Sequence, residues 1–191
     1  TIQMYDYKTP GNKGQGYLYT DNKVFGIQIG NNASARAKDG SVSGIAIGDY
    51  SQSRALGIGL GHYAQSEQIG AIAVGSAAKA KGFNSLAMMR QAYAGEQYAA
   101  AIGTAASAQG KASLAMGHSA LATGDQSIAI GSANPNPKYD DKGTPYTAYD
   151  GTTNTQANAA RSIAIGQGAK SNTVDSVAMG TGANVASGSN Y

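Results

Sequence analysis

The chain has 191 residues, 14 basic and 11 acidic, for a formal net charge of +3 at pH 7, and it contains no cysteine. Gly (27) and Ala (35) make up 62 of the 191 residues, Trp is absent and Phe occurs twice, which argues against a thick-layered α/β enzyme with a core of large side chains. The same counts exclude a disulfide scaffold or thiolate metal site, a disordered chain (41% hydrophobic against 13% charged) and a collagen (4 Pro, no strict Gly triplet), and they argue against a helix of ~20 apolar residues in a membrane and, with no basic run, against a nucleic-acid partner.

In chain order, Thr1–Lys23 comes first and stands apart from the rest of the chain. Tyr5, Tyr7, Tyr17 and Tyr19 alternate on either side of Pro10-Gly11-Asn12-Lys13-Gly14, which predicts two strands and a loop. We expect a cap or diverged first coil over 1–23, because an open stack of strands exposes an edge. No signal peptide is legible at Thr1. For a surface protein, the export signal and the anchor are therefore expected outside this segment.

From residue 24 to 191 a short phrase recurs. Clear copies are Ile45-Ala46-Ile47-Gly48, Ile72-Ala73-Val74-Gly75, Leu114-Ala115-Met116-Gly117, Ile128-Ala129-Ile130-Gly131, Ile163-Ala164-Ile165-Gly166 and Val177-Ala178-Met179-Gly180. Weaker copies end at Gly30, Gly61 and Gly103, and Leu86-Ala87-Met88-Met89 carries Met where the others carry Gly. The closing positions are spaced 18, 13, 14, 14, 14, 14, 14, 35 and 14 residues apart, so the period is 14, with an expanded coil at Arg36–Ser43 and 21 extra residues in the 35-residue interval. Three and five residues after most closing positions stands a small pair, such as Ala78/Ala80, Ala92/Ala94 and Ala106/Ala108.

Both phrases alternate with period 2, so each 14-residue unit reads as two short strands joined by two turns, with Gly serving the turns. Successive units should stack as parallel strands at ~4.8 Å, and roughly ten of them give a rod ~50 Å long. We expect the large pair (Ile45 and Ile47) to face the small pair across a narrow interior. The Ala between them (Ala46, Ala73, Ala129, Ala164) should then point outward as an apolar stripe where another copy approaches. A thin coil buries little of its own surface, so association is a natural source of stability.

Ser127-Ile128-Ala129-Ile130-Gly131, Ser162-Ile163-Ala164-Ile165-Gly166 and Ser176-Val177-Ala178-Met179-Gly180 resemble the repeat of YadA-like head domains, the adhesive heads of trimeric autotransporter adhesins of Gram-negative bacteria. The resemblance implies an all-β, left-handed parallel β-roll of 14-residue coils, homotrimeric, with one long inserted loop. It also implies display at the bacterial cell surface on an outer-membrane anchor, without membrane contact by this segment. The ligands it implies are host matrix proteins (collagen, fibronectin, laminin) or host cell-adhesion receptors. Neither an enzyme nor a cofactor is implied.

The insertion Asn134–Ala160 carries Pro135, Pro137 and Pro145, which keep it out of the strand ladder, and it carries several Tyr. We expect it to supply ligand-binding residues, namely Tyr139, Lys142, Tyr146 and Tyr149, since an exposed Tyr buries area at low entropic cost. Folding back over the roll is the alternative use of these side chains. Asp140-Asp141 sits among Lys138 and Lys142 and reads as a solvated loop, not a metal site. His62 and His118 share one phase four coils apart, ~19 Å by strand spacing, so they cannot share a proton or metal within one chain. Three functions stay open: an adhesin head, a structural spacer within a longer adhesin, and a solenoid enzyme such as an acyltransferase, for which no catalytic arrangement is legible.

Overall fold

The computed structural model describes residues 17–21, 24–35, 44–133, 138–139, 145–147 and 153–188. It is an all-β parallel solenoid of about nine coils. Three-residue strands (triplets), such as Ile72–Val74, Leu86–Met88 and Ile128–Ile130, stack into one sheet. Two-residue strands (doublets), such as Lys79–Ala80 and Tyr93–Ala94, stack into a second sheet of nine strands. The register steps by one 14-residue period, from Ile72 to Leu86 to Ala100 to Leu114 to Ile128. Across the insertion Ile128 pairs with Ile163 without a break. At the N-terminal side Tyr17–Asp21 lies antiparallel to Val24–Ile29, so the triplet sheet ends on a reversed strand. Tyr5, Tyr7 and the expanded coil at 36–43 lie outside the described residues.

The faces of the triplets are the reverse of the expectation from sequence. The central alanines, Ala46, Ala73, Ala87, Ala101, Ala115, Ala129 and Ala164, are 0% exposed and point inward. Their large neighbours point out: Met88 is 38% exposed and Met179 68%. The small pairs, for example Ala78 with Ala80 and Ala92 with Ala94, also point inward, so alanine meets alanine across the tube. Every buried apolar side chain among the described residues is an alanine, and the largest fully buried side chain is Thr155. A strand alternates faces but does not announce which face is inside, and a shift of one residue exchanges them. The decision falls to volume, because a tube two strands wide has space for methyl groups only.

Several of the serines that precede a triplet have a defined task, while Ser127 in the same column is buried without a partner among the described residues. The hydroxyls of Ser85, Ser113 and Ser162 each donate to the carbonyl three residues earlier, at 2.7 Å to Gly82, Gly110 and Ala159. Each locks the turn that leads into a triplet, and each is a buried polar group with its partner supplied.

Two turns complete each coil: a leading turn before the triplet and a trailing turn after it. Each holds one residue in the left-handed region, and most of these are not glycine: Tyr50 (φ 57), Tyr63 (φ 56), Ala77 (φ 55) and Gln91 (φ 58) in trailing turns, and Asn84 (φ 51), Tyr98 (φ 58) and Gln126 (φ 58) in leading turns. The conformation costs ~1–2 kcal/mol per non-Gly residue. It turns the backbone N–H along the rod: Ala77 N–H donates to His62 O (2.8 Å) and Tyr98 N–H to Phe83 O (2.9 Å), one coil back. Coil-to-coil hydrogen bonding therefore continues through the turns.

Glycine is required at the closing position, where Gly48, Gly75, Gly103 and Gly117 have φ 125, 130, 138 and 117. A Cβ on Gly103 would stand 2.5 Å from the carbonyl oxygen of Gly117. Met89 occupies this column at φ 90. Replacing it, Met89→Gly, should raise the melting temperature by relieving backbone strain of ~1–3 kcal/mol against a glycine entropy cost of ~0.5–1 kcal/mol. Gly103→Ala should lower it. Within the tube, Ala129→Leu should destabilise by at least ~1–3 kcal/mol through overpacking. Thermal melts followed by far-UV circular dichroism read all three.

Candidate ligand-binding and association surfaces

The inserted segment leaves the roll at a trailing turn. Ala133 N–H still donates to His118 O (3.0 Å), as its counterparts do in other coils. The roll resumes at Thr155, which is buried in the small-pair column with its Oγ1 donating to Gly166 O at 2.7 Å, and Gln156–Ala157 pairs with Leu121–Ala122. The extra length is thus 134–154, which equals the 21 residues by which this interval exceeds the period. The boundary expected from sequence, Ala160, lies inside the resumed coil. Two strands are described within the segment, Lys138–Tyr139 and Pro145–Thr147, and they pair antiparallel with Lys138 opposite Thr147 and Tyr139 opposite Pro145. Tyr139 and Tyr146 therefore stand on one hairpin, while Lys142 and Tyr149 lie outside the described residues.

The outward face of the triplet sheet forms a second surface. Its first and third positions run Ile45/Ile47, Ile58/Leu60, Ile72/Val74, Leu86/Met88, Ala100/Ile102, Leu114/Met116, Ile128/Ile130, Ile163/Ile165 and Val177/Met179. This is one apolar stripe along the whole stack, broken in size only at Ala100. A soluble monomer rarely leaves so long an apolar face uncovered.

The turn edges carry features that sequence reading did not single out. On the trailing edge the rings of Tyr50 and Tyr63 stack at 4.9 Å and 6°, and His62 sits edge-on to Tyr63 at 4.4 Å. On the leading edge Leu56, Ile69, Phe83 and Tyr98 are all exposed, with Phe83 and Tyr98 edge-to-face at 6.0 Å. The signal was present in the spacing, since Tyr50 and Tyr63 stand one local period of 13 apart and Phe83 and Tyr98 one residue off 14. His62 and His118 occupy trailing turns in the same phase, since each carbonyl accepts from the next coil, from Ala77 and from Ala133.

Charges are sparse. Lys79 Nζ lies 2.9 Å from Glu67 Oε1. Arg161 reaches the next coil with two hydrogen bonds to Asp175, which hold that carboxyl below the usual carboxylate range and push the guanidinium up. Among the described residues no group of three His, Cys, Asp or Glu could hold a metal ion, and no helix is long and apolar enough to cross a membrane. Because the carboxyl of Asp175 titrates low in the folded chain, its contribution is present above the unfolded carboxylate range and is lost as pH falls through the lowered value. Both side chains are more than half exposed, so Asp175→Asn should leave the melting temperature at neutral pH nearly unchanged, and melts across the acid range check this.

A parallel solenoid with 14-residue coils and an alanine interior defines a class of repeat scaffolds that are typically non-enzymatic. The family described as YadA head domain repeat (2 copies) matches residues 67–88, 108–134, 153–169 and 157–183. That match supports a YadA-like head domain of a trimeric autotransporter adhesin, a family that implies an adhesin of the bacterial cell surface. No curated protein matches the chain.

Proposed function

We propose that this chain is a homotrimeric adhesin head, held at the cell surface through an outer-membrane anchor elsewhere in a longer protein. It binds host matrix proteins such as collagen, fibronectin or laminin, or host cell-adhesion receptors. The observation that carries this reading is the outward apolar face of the triplet sheet. A solenoid whose described interior holds alanine, serine, glycine and one threonine gains little from its own burial, about 0.8 kcal/mol per methylene-sized group. Its large side chains face outward, where a neighbouring copy at the same height removes them from water. Three parallel rods with these faces on a common axis bury the stripe along its whole length.

Assembly sets the mode of binding. Each copy presents one hairpin carrying Tyr139 and Tyr146 from its trailing edge. Three hairpins on one rigid rod let weak single contacts add as avidity. The regular stack between Gly44 and Ala133 favours a second reading, a spacer that positions a binding domain elsewhere.

One deletion separates the two readings. Removing 134–154 joins Ala133 to Thr155 and restores a 14-residue coil. We expect the trimer to persist by light scattering and binding to matrix proteins or epithelial cells to fall. Tyr139→Ala with Tyr146→Ala in the full-length chain should weaken binding by roughly thirtyfold, the loss of an anchor of about 2 kcal/mol. Unchanged binding in both variants assigns the segment no ligand, and absence of binding by the unaltered chain leaves the spacer reading. Ile130→Asp, on the apolar stripe, should shift the particle from trimer mass to monomer mass.

A further inference from the structure

We infer that the two turn edges of the roll are complementary halves of a clasp between copies: the trailing edge of one copy closes on the leading edge of the next over the coils from Asp49 to Tyr98. The inference rests on the trimer reading and goes beyond it, by assigning the edges to a second copy and not to a host ligand. Cyclic symmetry sets the geometry. When parallel rods turn their triplet sheets toward a common axis, a clockwise edge always meets a counter-clockwise edge. The trailing edge therefore meets only leading edges, at the same height along the rod.

Two independent features of the edges match at equal height. The first is apolar. Tyr50 and Tyr63 on the trailing edge lie level with Leu56 and Ile69 on the leading edge, and these four are exposed within one copy. The leading-edge ladder continues through Phe83, one residue before the left-handed Asn84, to the left-handed Tyr98 and ends there, since the same two positions in the next turns are Lys111-Ala112 and Asp125-Gln126. The second is charge, and it reverses between coils. At one level the trailing turn carries Asp49 and the leading turn Arg54; three coils on, the trailing turn carries Arg90 and the leading turn Glu96. Asp49 and Arg90 share one phase, since each carbonyl accepts from the next coil, from Tyr63 and Ala105. Arg54 and Glu96 share another, since each carbonyl accepts the N–H that closes the leading turn, from Gly57 and Ala99. All four side chains are exposed, and Arg54, Arg90 and Glu96 hold no ion pair among the described residues. Inside one copy the members of each pair sit on opposite edges and cannot meet. In a parallel neighbour at the same height both pairs meet with the favourable sign, which also rejects a copy shifted along the rod.

The absence of cysteine makes the test direct. Ser76→Cys and Phe83→Cys place one thiol on each edge of a single coil. The double variant, treated with a short bis-maleimide, should give covalent dimers and trimers on a denaturing gel, and each single variant should give none. Trimer mass by light scattering without covalent bands, with both thiols open to a bulky maleimide, overturns the clasp, keeps the trimer and leaves the leading-edge ladder free for another partner. Monomer mass for the unmodified chain overturns the clasp and the trimer reading together. A charge swap supplies a second readout should the thiol variants misfold. Arg90→Glu should lower the melting temperature of the trimer, and Arg90→Glu with Glu96→Arg should return it. Failure of the double swap to recover any of the loss counts against the clasp.

Discussion

Backbone hydrogen bonding from coil to coil is the interaction on which the rest of the molecule depends. It runs through both sheets and, unusually for connections, through both turns. Each bond contributes only ~0.5–1.5 kcal/mol net, but leaving a buried donor unpaired costs more. To keep the turn amides aligned with the rod, the chain accepts a left-handed residue in each turn, even where that residue is Tyr or Gln. It places glycine in nearly all of the closing column, and again at Gly82, Gly110 and Gly124, where the next coil's carbonyl crowds the site of a Cβ. The strain is local and is repeated in every coil. The hydrogen bonds that offset it are repeated in the same way, which is why the period is so strict.

A second consequence concerns the interior. Strands stacked this closely enclose a tube that, among the described residues, holds alanine, serine, glycine and a single threonine, Thr155. The large side chains that would form a core in a globular protein are displaced to the outside of the triplet sheet. In the proposed trimer that face is covered, so the main source of hydrophobic stabilisation shifts from the single chain to the assembly. The serines Ser85, Ser113, Ser162 and Ser176, each just before a triplet, belong to the same logic, because each satisfies a turn carbonyl three residues earlier.

Function follows from stiffness. Coils bonded each to the next resist bending in the proposed adhesin, so recognition is left to what projects from the rod. In the proposed adhesin the inserted hairpin projects from a trailing turn, while the turn edges on the coils from Asp49 to Tyr98 are taken up between copies. Recognition and assembly are then divided along the length of the rod, with assembly devices toward its N-terminal coils and the inserted segment toward its C-terminal coils.

The sequence by itself determined the period, the strand character, the parallel stacking and the place of the insertion. Each follows from local pattern: Ile-Ala-Ile alternates as a strand, and ten closing positions in phase leave one architecture. It also placed Tyr139 and Tyr146 outside the ladder, because proline cannot donate to it. Only the tertiary structure decided which face is inside. Alternation is symmetric under a one-residue shift, and the limit on volume that breaks the symmetry arises when two sheets close on each other, which turned Ala129 inward and Ile128 and Ile130 outward. The same holds for Leu56, Ile69, Phe83 and Tyr98. They are unremarkable loop residues along the chain and become one ladder when coils 13 to 14 residues apart are laid side by side.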